Sequence, residues 1–238
     1  SNVPTQVHIA YAGATPGSGM AVSWVTGAPT TTTTVRYGTS PTGLATNVTG
    51  TTALDYEVWV HHVVLTGLTP ATTYYYTAGD AAGGWSSVTA FKTAPAAGAE
   101  FPAAVAVFGD MGIWGYSNAT FADLARLGGA VDFMYLVGDG SYADDDFLHD
   151  PISPQYAATW DGWFTELQPF AATTPFMTLP GNHEAECHDL FVRARAGVGW
   201  GTVTFVIPRS PPPTPPNPPR AVLHQRDDAP CLCQLFDV

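Results

Sequence analysis

Two hydrophobic rhythms divide the chain. Up to about Thr93, short apolar, aromatic and β-branched runs recur between turn signals, at Gln6–Tyr11, Met20–Val25, Thr33–Tyr37, His61–Leu65, Thr73–Ala78 and Ser87–Lys92. Glycine, proline and threonine fill the gaps, including the threonine run Thr30–Thr34. Short strands spaced in this way predict an antiparallel sandwich. After the small-residue linker Ala94–Glu100 the apolar runs become continuous, at Ala103–Phe108, Phe133–Val137 and Pro175–Leu179. Between them, Asn118–Leu127 puts Phe121, Leu124 and Leu127 on one helical face, and Pro154–Leu167 is compatible with a second helix. Strand, helix, strand, helix, strand predicts a parallel α/β layer with strands buried on both faces. The expected units are 1–94, 95–188 and a proline-rich tail, 189–238.

Composition sharpens this division. Of 238 residues, 45% are apolar, enough for a packed core, and the formal charge is −12. That acidic excess excludes a broad phosphate-backbone binder of nucleic acid. No apolar run reaches membrane-span length. The charge is uneven: residues 1–188 carry 3 basic and 16 acidic side chains, and 189–238 carry 5 and 4. Eight of the 21 prolines lie between Pro208 and Pro219. The tail therefore reads as disordered, and as the product of a frame or splice change rather than a proline-rich ligand such as PPTPP. Cys187, Cys231 and Cys233 form neither a disulfide framework nor a zinc ribbon. The start at Ser1, without methionine or signal peptide, suggests a processed or partial product.

The candidate chemistry sits where the three continuous runs end. Each stops at a glycine followed by an oxygen donor: Gly109-Asp110, Gly138-Asp139 and Gly181-Asn182. Ligands of open α/β sheets gather at the carboxyl ends of the strands. Singly, each element has a structural reading. Asp110 could cap a loop, and an Asn-His pair could serve a turn. Asp139 and Tyr142, three apart, could aim a carboxylate and a phenol at one point. The acidic run Asp144–Asp146 reads as solvated face, with Asp144 a supporting partner of the site. Three such elements in order point to a common site.

The segments FGDMG (108–112), GDGSYAD (138–144) and GNHE (181–184) resemble the first three motifs of the purple acid phosphatases, within the calcineurin-like metallophosphoesterases. Gly112, where most of the superfamily has histidine, and Tyr142 match the purple acid phosphatase variant. QVHIAYAG and GMAVSWVT resemble the N-terminal domain of the plant-type members, and Leu65–Tyr76 resembles a fibronectin type III-like corner with a buried tyrosine. The resemblance covers residues 3–188 and implies an all-β fibronectin III-like sandwich followed by an incomplete α/β metallophosphoesterase sandwich domain.

It further implies an acid phosphatase acting on phosphate monoesters through Fe(III) and a divalent metal (Zn, Mn or Fe). Asp110 and Tyr142 would hold iron, Asp139 would bridge the two ions, and Asn182 would ligate the divalent one. Anionic oxygen suits a hard ferric ion. Two such ions clamp phosphate and activate water for in-line attack. His183 would contact phosphate or the leaving group, with Asp144 and Glu184 in support. The family completes its site with three more histidines, two in a Gly-His-x-His element. No H-x-H occurs here, and only His188 and His224 follow Glu184. With four of seven donors, the chain as written is expected to be weak or inactive. The alternatives are a catalytically dead binding or regulatory protein, and a phosphodiesterase or nucleotidase of the same superfamily. Two sequons, at Asn47 and Asn118, fit a glycosylated protein that is secreted or vacuolar/lysosomal. The resemblance admits a homodimer. His8 and His149 lack evident partners, and His61-His62 reads as a strand pair with one ring buried.

Overall fold

The computed structural model describes residues 2–55, 57–100, 103–145 and 155–185. The first unit is an antiparallel β-sandwich. One sheet runs β1 (Thr5–Ala12), β2 (Gly19–Thr26), β6 (Val58–Thr66), β5 (Thr51–Asp55). The other runs β4 (Thr46–Thr49), β3 (Thr34–Gly38), β7 (Thr73–Asp80), β8 (Gly84–Trp85), with β9 (Thr89–Lys92) also paired to β7. Alternate residues fill the space between the sheets: Val7 and Ile9, Met20, Val22 and Trp24, Val63 and Leu65 from one side, Val35, Tyr74, Tyr76, Ala78 and Phe91 from the other. That is the period-two pattern of a pleated strand, although β2 is buried at every position.

Several buried polar groups inside this unit are matched, although among the described residues Trp24 Nε1 and Asp55 Oδ1 have no hydrogen-bond partner. The Thr69 N–H donates to Tyr74 Oη at 3.0 Å, tying the turn after β6 to the strand that follows. His61, fully buried, bonds Thr26 Oγ1 at 2.9 Å and Thr33 Oγ1 at 2.8 Å and stacks on Trp24. His62 bonds Ser23 Oγ on the opposite face, so the expected buried-and-outer pair is present. Asp80, 1% exposed, accepts the N–H and hydroxyl of Thr31 at 2.8 and 2.6 Å, the N–H of Thr32 at 3.4 Å and the N–H of Gly83. The Thr31 hydroxyl leads in drawing its carboxyl down to about 2, with the backbone donors adding to it against the opposing effect of burial.

The second unit is a parallel three-stranded sheet in the order β10 (Val105–Phe108), β11 (Phe133–Leu136), β12 (Phe176–Thr178). Helix α1 (Asn118–Leu127) connects the first two strands, and α2 (Tyr156–Ala171) precedes the third. Both pack on one face of the sheet. Phe121 and Leu124 of α1, and Trp160, Trp163, Leu167 and Phe170 of α2, enclose Met134, Leu136 and Phe176. Two expectations need correction. Leu127 is exposed rather than part of the buried stripe, because α1 ends there at Gly128. The strands are also not buried on both faces. Among the described residues the opposite face leaves Val105, Val107, Val137 and Leu179 exposed, Val107 by 62%.

The two units meet along β1 and α2. A register irregularity between Thr5 and His8 puts Gln6 in the left-handed region (φ 55°), and its side chain is buried toward α2. Gln6 Nε2 donates to Asp161 Oδ1 at 3.0 Å, and the Val7 N–H donates to Gln168 Oε1 at 3.1 Å. The His8 ring stacks on Phe164 at 5.2 Å, so His8 does have a partner, and burial pushes its imidazole down to about 4. Tyr11 and Tyr76 each reach across, donating to the carbonyls of Asp132 (2.9 Å) and Ala172 (2.8 Å). Among the described residues no helix is long and apolar enough to cross a membrane.

Asp80→Ala removes a buried charged acceptor shared by Thr31, Thr32 and Gly83 and should cost roughly 1.5–3 kcal/mol. The carboxyl is more acidic in the fold than its ordinary value of 3.8, so its contribution is complete above that pH and fades as pH falls toward about 2. Thermal unfolding from pH 7 to pH 2 should therefore show the variant's deficit shrinking on acidification.

Candidate metal centre

Hydrogen bonding between β10 and β11 continues past the strands into their loops. The Asp110 N–H donates to Gly138 O (3.4 Å), Met111 N–H to Asp139 O (3.0 Å) and Gly112 N–H to Gly140 O (2.7 Å). This carries two loops side by side to one end of the sheet. The third approaches as closely as glycine permits. A Cβ on Gly138 would lie 2.6 Å from the Gly181 Cα, and one on Gly181 would collide with the Asp139 carboxylate. Glycine before Asp139 and before Asn182 is thus a condition for those donors to converge.

The turns that follow hold the side chains in an uncommon backbone state. Asp110, Asp139 and Tyr142 all lie in the left-handed region, with φ of 51°, 52° and 56°. Non-glycine residues stay there only where surrounding contacts hold them, and such positions cluster at functional sites. In this arrangement the Tyr142 hydroxyl donates to Asp110 Oδ1 at 3.1 Å. Burial, then that hydrogen bond and the nearby Asp110 and Asp139 charges, push the Tyr142 phenol up to about 12. The His183 N–H donates to Asp139 Oδ1 at 3.0 Å, which brings α3 (Asn182–Ala185) against the same carboxylate. Asn182 is exposed beside it.

A second layer holds this cluster. His183 Nδ1 meets Asp144 Oδ2 at 2.8 Å, and its ring packs on Tyr142 at 4.1 Å. Burial works to lower the His183 pKa, but the Asp144 hydrogen bond and the charges of Asp144, Asp139 and Asp145 outweigh it, so the imidazole holds its proton to higher pH than usual. Asp144, expected as a supporting partner beside an otherwise solvated acidic run, is 5% exposed; the turn Ala143–Asp145 folds it under the imidazole. Its Oδ1 is buried and has no hydrogen-bond partner among the described residues. Glu184, 2% exposed, accepts three backbone N–H groups: Asp139 (2.7 Å), Gly140 (2.8 Å) and Gly181 (2.7 Å).

The structure thus brings Asp110, Asp139, Tyr142, His183, Asp144 and Glu184 together, with Asn182 on the same short helix as His183. A further grouping was not expected. Ligand atoms of Asp144, Asp145 and His183 lie within 4.8 Å of one another, close enough for a single cation. Asp144 and His183 were both expected at the site, but Asp145 was read as solvated surface. The sequon asparagines Asn47, on β4, and Asn118, opening α1, are both exposed. Asp146, His149, the three cysteines, His188 and His224 lie outside the described residues.

The two units match two family models in the same order. Residues 4–93 match the purple acid phosphatase N-terminal domain, and residues 103–210 match the calcineurin-like phosphoesterase domain. Purple acid phosphatase 18 of Arabidopsis thaliana is 35% identical over 191 residues, covering 78% of this chain and 39% of that protein. Acid phosphatase type 7 of Homo sapiens is 34% identical over 192 residues, covering 77% and 41%. The solved purple acid phosphatase from yellow lupin seeds shares the fold, with a TM-score of 0.62 and 22% identity over 78% of this chain and 36% of that one. A sandwich followed by a parallel-sheet phosphoesterase portion, with those matches, defines the class: the chain belongs to the purple acid phosphatase family. It spans about two fifths of the length of the curated relatives it matches.

Gly181→Ala tests the convergence directly. Its methyl group meets the Asp139 carboxylate and backbone N. Relieving that overlap should cost about 1–3 kcal/mol, read as a lowered unfolding midpoint. Pro180→Ala, at an exposed neighbouring position, should leave the midpoint unchanged.

Proposed function

We propose that this chain is the N-terminal part of an acid phosphatase that hydrolyses phosphate monoesters at a binuclear Fe(III)–divalent metal centre. The observation that carries the reading is the meeting of Asp110 and Tyr142, 3.1 Å apart, beside Asp139 and the Asn182–His183 pair at three adjacent strand ends. The donor set fits the metals. Two carboxylates, a phenol and an amide are all oxygen donors, and the anionic ones suit a hard trivalent cation. Asp110 and Tyr142 would hold iron, Asp139 would be shared, and Asn182 would serve the divalent ion (Zn, Mn or Fe). Bound there, the metals would neutralise phosphate charge and lower the pKa of water.

The protein's own residues set the remaining chemistry. Tyr142 Oη, which gives its proton to an Asp110 hydrogen bond in the metal-free geometry, must release that proton on ligation. Metal uptake is therefore coupled to proton release and weakens as pH falls. Asp144 binds His183 Nδ1, so Nε2 is the ring atom left to meet substrate. By holding the imidazole charged, Asp144 equips Nε2 to donate to a phosphate oxygen or to the departing alcohol at acidic pH. The exposed sequons at Asn47 and Asn118 support a secreted or vacuolar/lysosomal glycoprotein. A homodimer is part of the same reading. The catalytically dead binding protein and the phosphodiesterase or nucleotidase remain the competing functions, separated from this one by turnover and by substrate profile.

Loaded with Fe(III) and Zn(II), the 238-residue polypeptide should show a tyrosinate-to-iron absorption band in the visible, lost in Tyr142→Phe. A band that survives the substitution contradicts the assignment. Turnover of this polypeptide should be low, since it supplies four of the implied donors. In its pH–rate profile, Asp144→Asn should move the alkaline limb to lower pH, because the substitution removes the partner that holds the His183 proton.

A further inference from the structure

The geometry points to Glu184 as the positioning residue that fixes Asp139, the carboxylate assigned above as the shared ligand, and we infer that it does so through the backbone without touching metal or substrate. The inference rests on the proposed metal-centre reading. A carboxylate offers about four lone-pair sites, and three of those on Glu184 are taken by the amides of Asp139, Gly140 and Gly181. Both Glu184 oxygens are therefore engaged by backbone N–H groups, and with the side chain 2% exposed the one remaining lone-pair site, on Oε1, is shut off from solvent. Charge-assisted bonds of this kind are roughly twice as strong as neutral ones.

What these bonds hold is conformationally costly. Gly138 and Asp139 both have positive φ, 98° and 52°, and the loop returns to a third such residue at Tyr142, φ 56°. Aspartate tolerates that region better than most residues but does not favour it, so contacts must hold Asp139 there. Glu184 ties the Asp139 and Gly140 amides from one side and, through Gly181, locks the two loops together. From the same short helix the His183 N–H donates to Asp139 Oδ1, fixing the side chain as Glu184 fixes the backbone. The four residues Gly181–Glu184 therefore present Asn182 while gripping Asp139 at two points.

The test is Glu184→Gln, which keeps volume and one acceptor oxygen but turns an NH2 toward a backbone N–H. Hydrogen exchange of the Asp139, Gly140 and Gly181 amides should quicken at least tenfold, while amides of β1, β2 and β6 keep their protection. Zn(II) affinity, measured by titration of the polypeptide, should fall about 10–100-fold. Asp80→Ala, a destabilising change in the distant sandwich, should leave the Zn(II) affinity and the relative protection of the three amides unaltered. Should Glu184→Ala fail to fold, the isosteric variant carries the test. Unchanged exchange at the three amides, or unchanged Zn(II) affinity in a protein that does bind zinc, overturns the positioning role. If the unsubstituted polypeptide takes up no zinc, the metal-centre reading fails on its own terms, and the exchange measurement alone decides whether Glu184 is the clamp.

Discussion

Gly138 and Gly181 touch backbone to backbone, and the candidate centre depends on that contact. A side chain at either position would separate β11 from β12 at the end where their loops carry Asp139 and Asn182. The strands themselves are short, four, four and three residues, so little pairing is available to hold the ends in register. Backbone bonds from Asp110, Met111 and Gly112 to the next loop extend the ladder on one side, and Glu184 extends it on the other. Three oxygen-bearing loops are thus brought together by the absence of side chains and kept together by amide hydrogen bonds.

The support beneath the sheet comes largely from one helix. α2 buries Trp160, Trp163, Leu167 and Phe170 against the sheet, and its outer surface meets β1 through Gln6, Val7 and His8. The sandwich therefore does not hang from a flexible linker. It braces the helix that braces the strands, which gives a physical role to a domain whose fold contributes no chemistry of its own. The apolar face bearing Val107 and Val137 shows that the described half of the second unit covers only one side of its sheet.

Much of this was legible in the sequence, for identifiable reasons. Strands rich in apolar, aromatic and β-branched residues between turn signals, such as β2 and β7, announced themselves by composition, and the Gly-Asp and Gly-Asn steps located the strand ends. Strands β4 and β5 did not, because Thr46–Thr49 and Thr51–Asp55 are nearly all exposed and carry no apolar alternation. α2 runs past the expected end at Leu167, through Pro169, because Phe170 and Ala171 are buried in the core. At the site, residue types pointed to Asp110, Asp139, Tyr142 and Asn182. Glu184 was expected in support, but the groups it holds were not legible, since two of its three amide partners, Asp139 and Gly140, lie far away in sequence. Asp144 was likewise expected in support, while its contact with the His183 ring, from a loop far away in sequence, was not legible.

The central claim is that metal binds at the strand ends rather than at the neighbouring Asp144, Asp145 and His183 group. Anomalous diffraction at the iron edge, from crystals of the iron-loaded polypeptide, tests this most directly. The account predicts a peak bonded to Asp110 and Tyr142, with Asp139 in reach. A peak held instead by Asp144, Asp145 and His183, with Tyr142 still donating to Asp110, would contradict it.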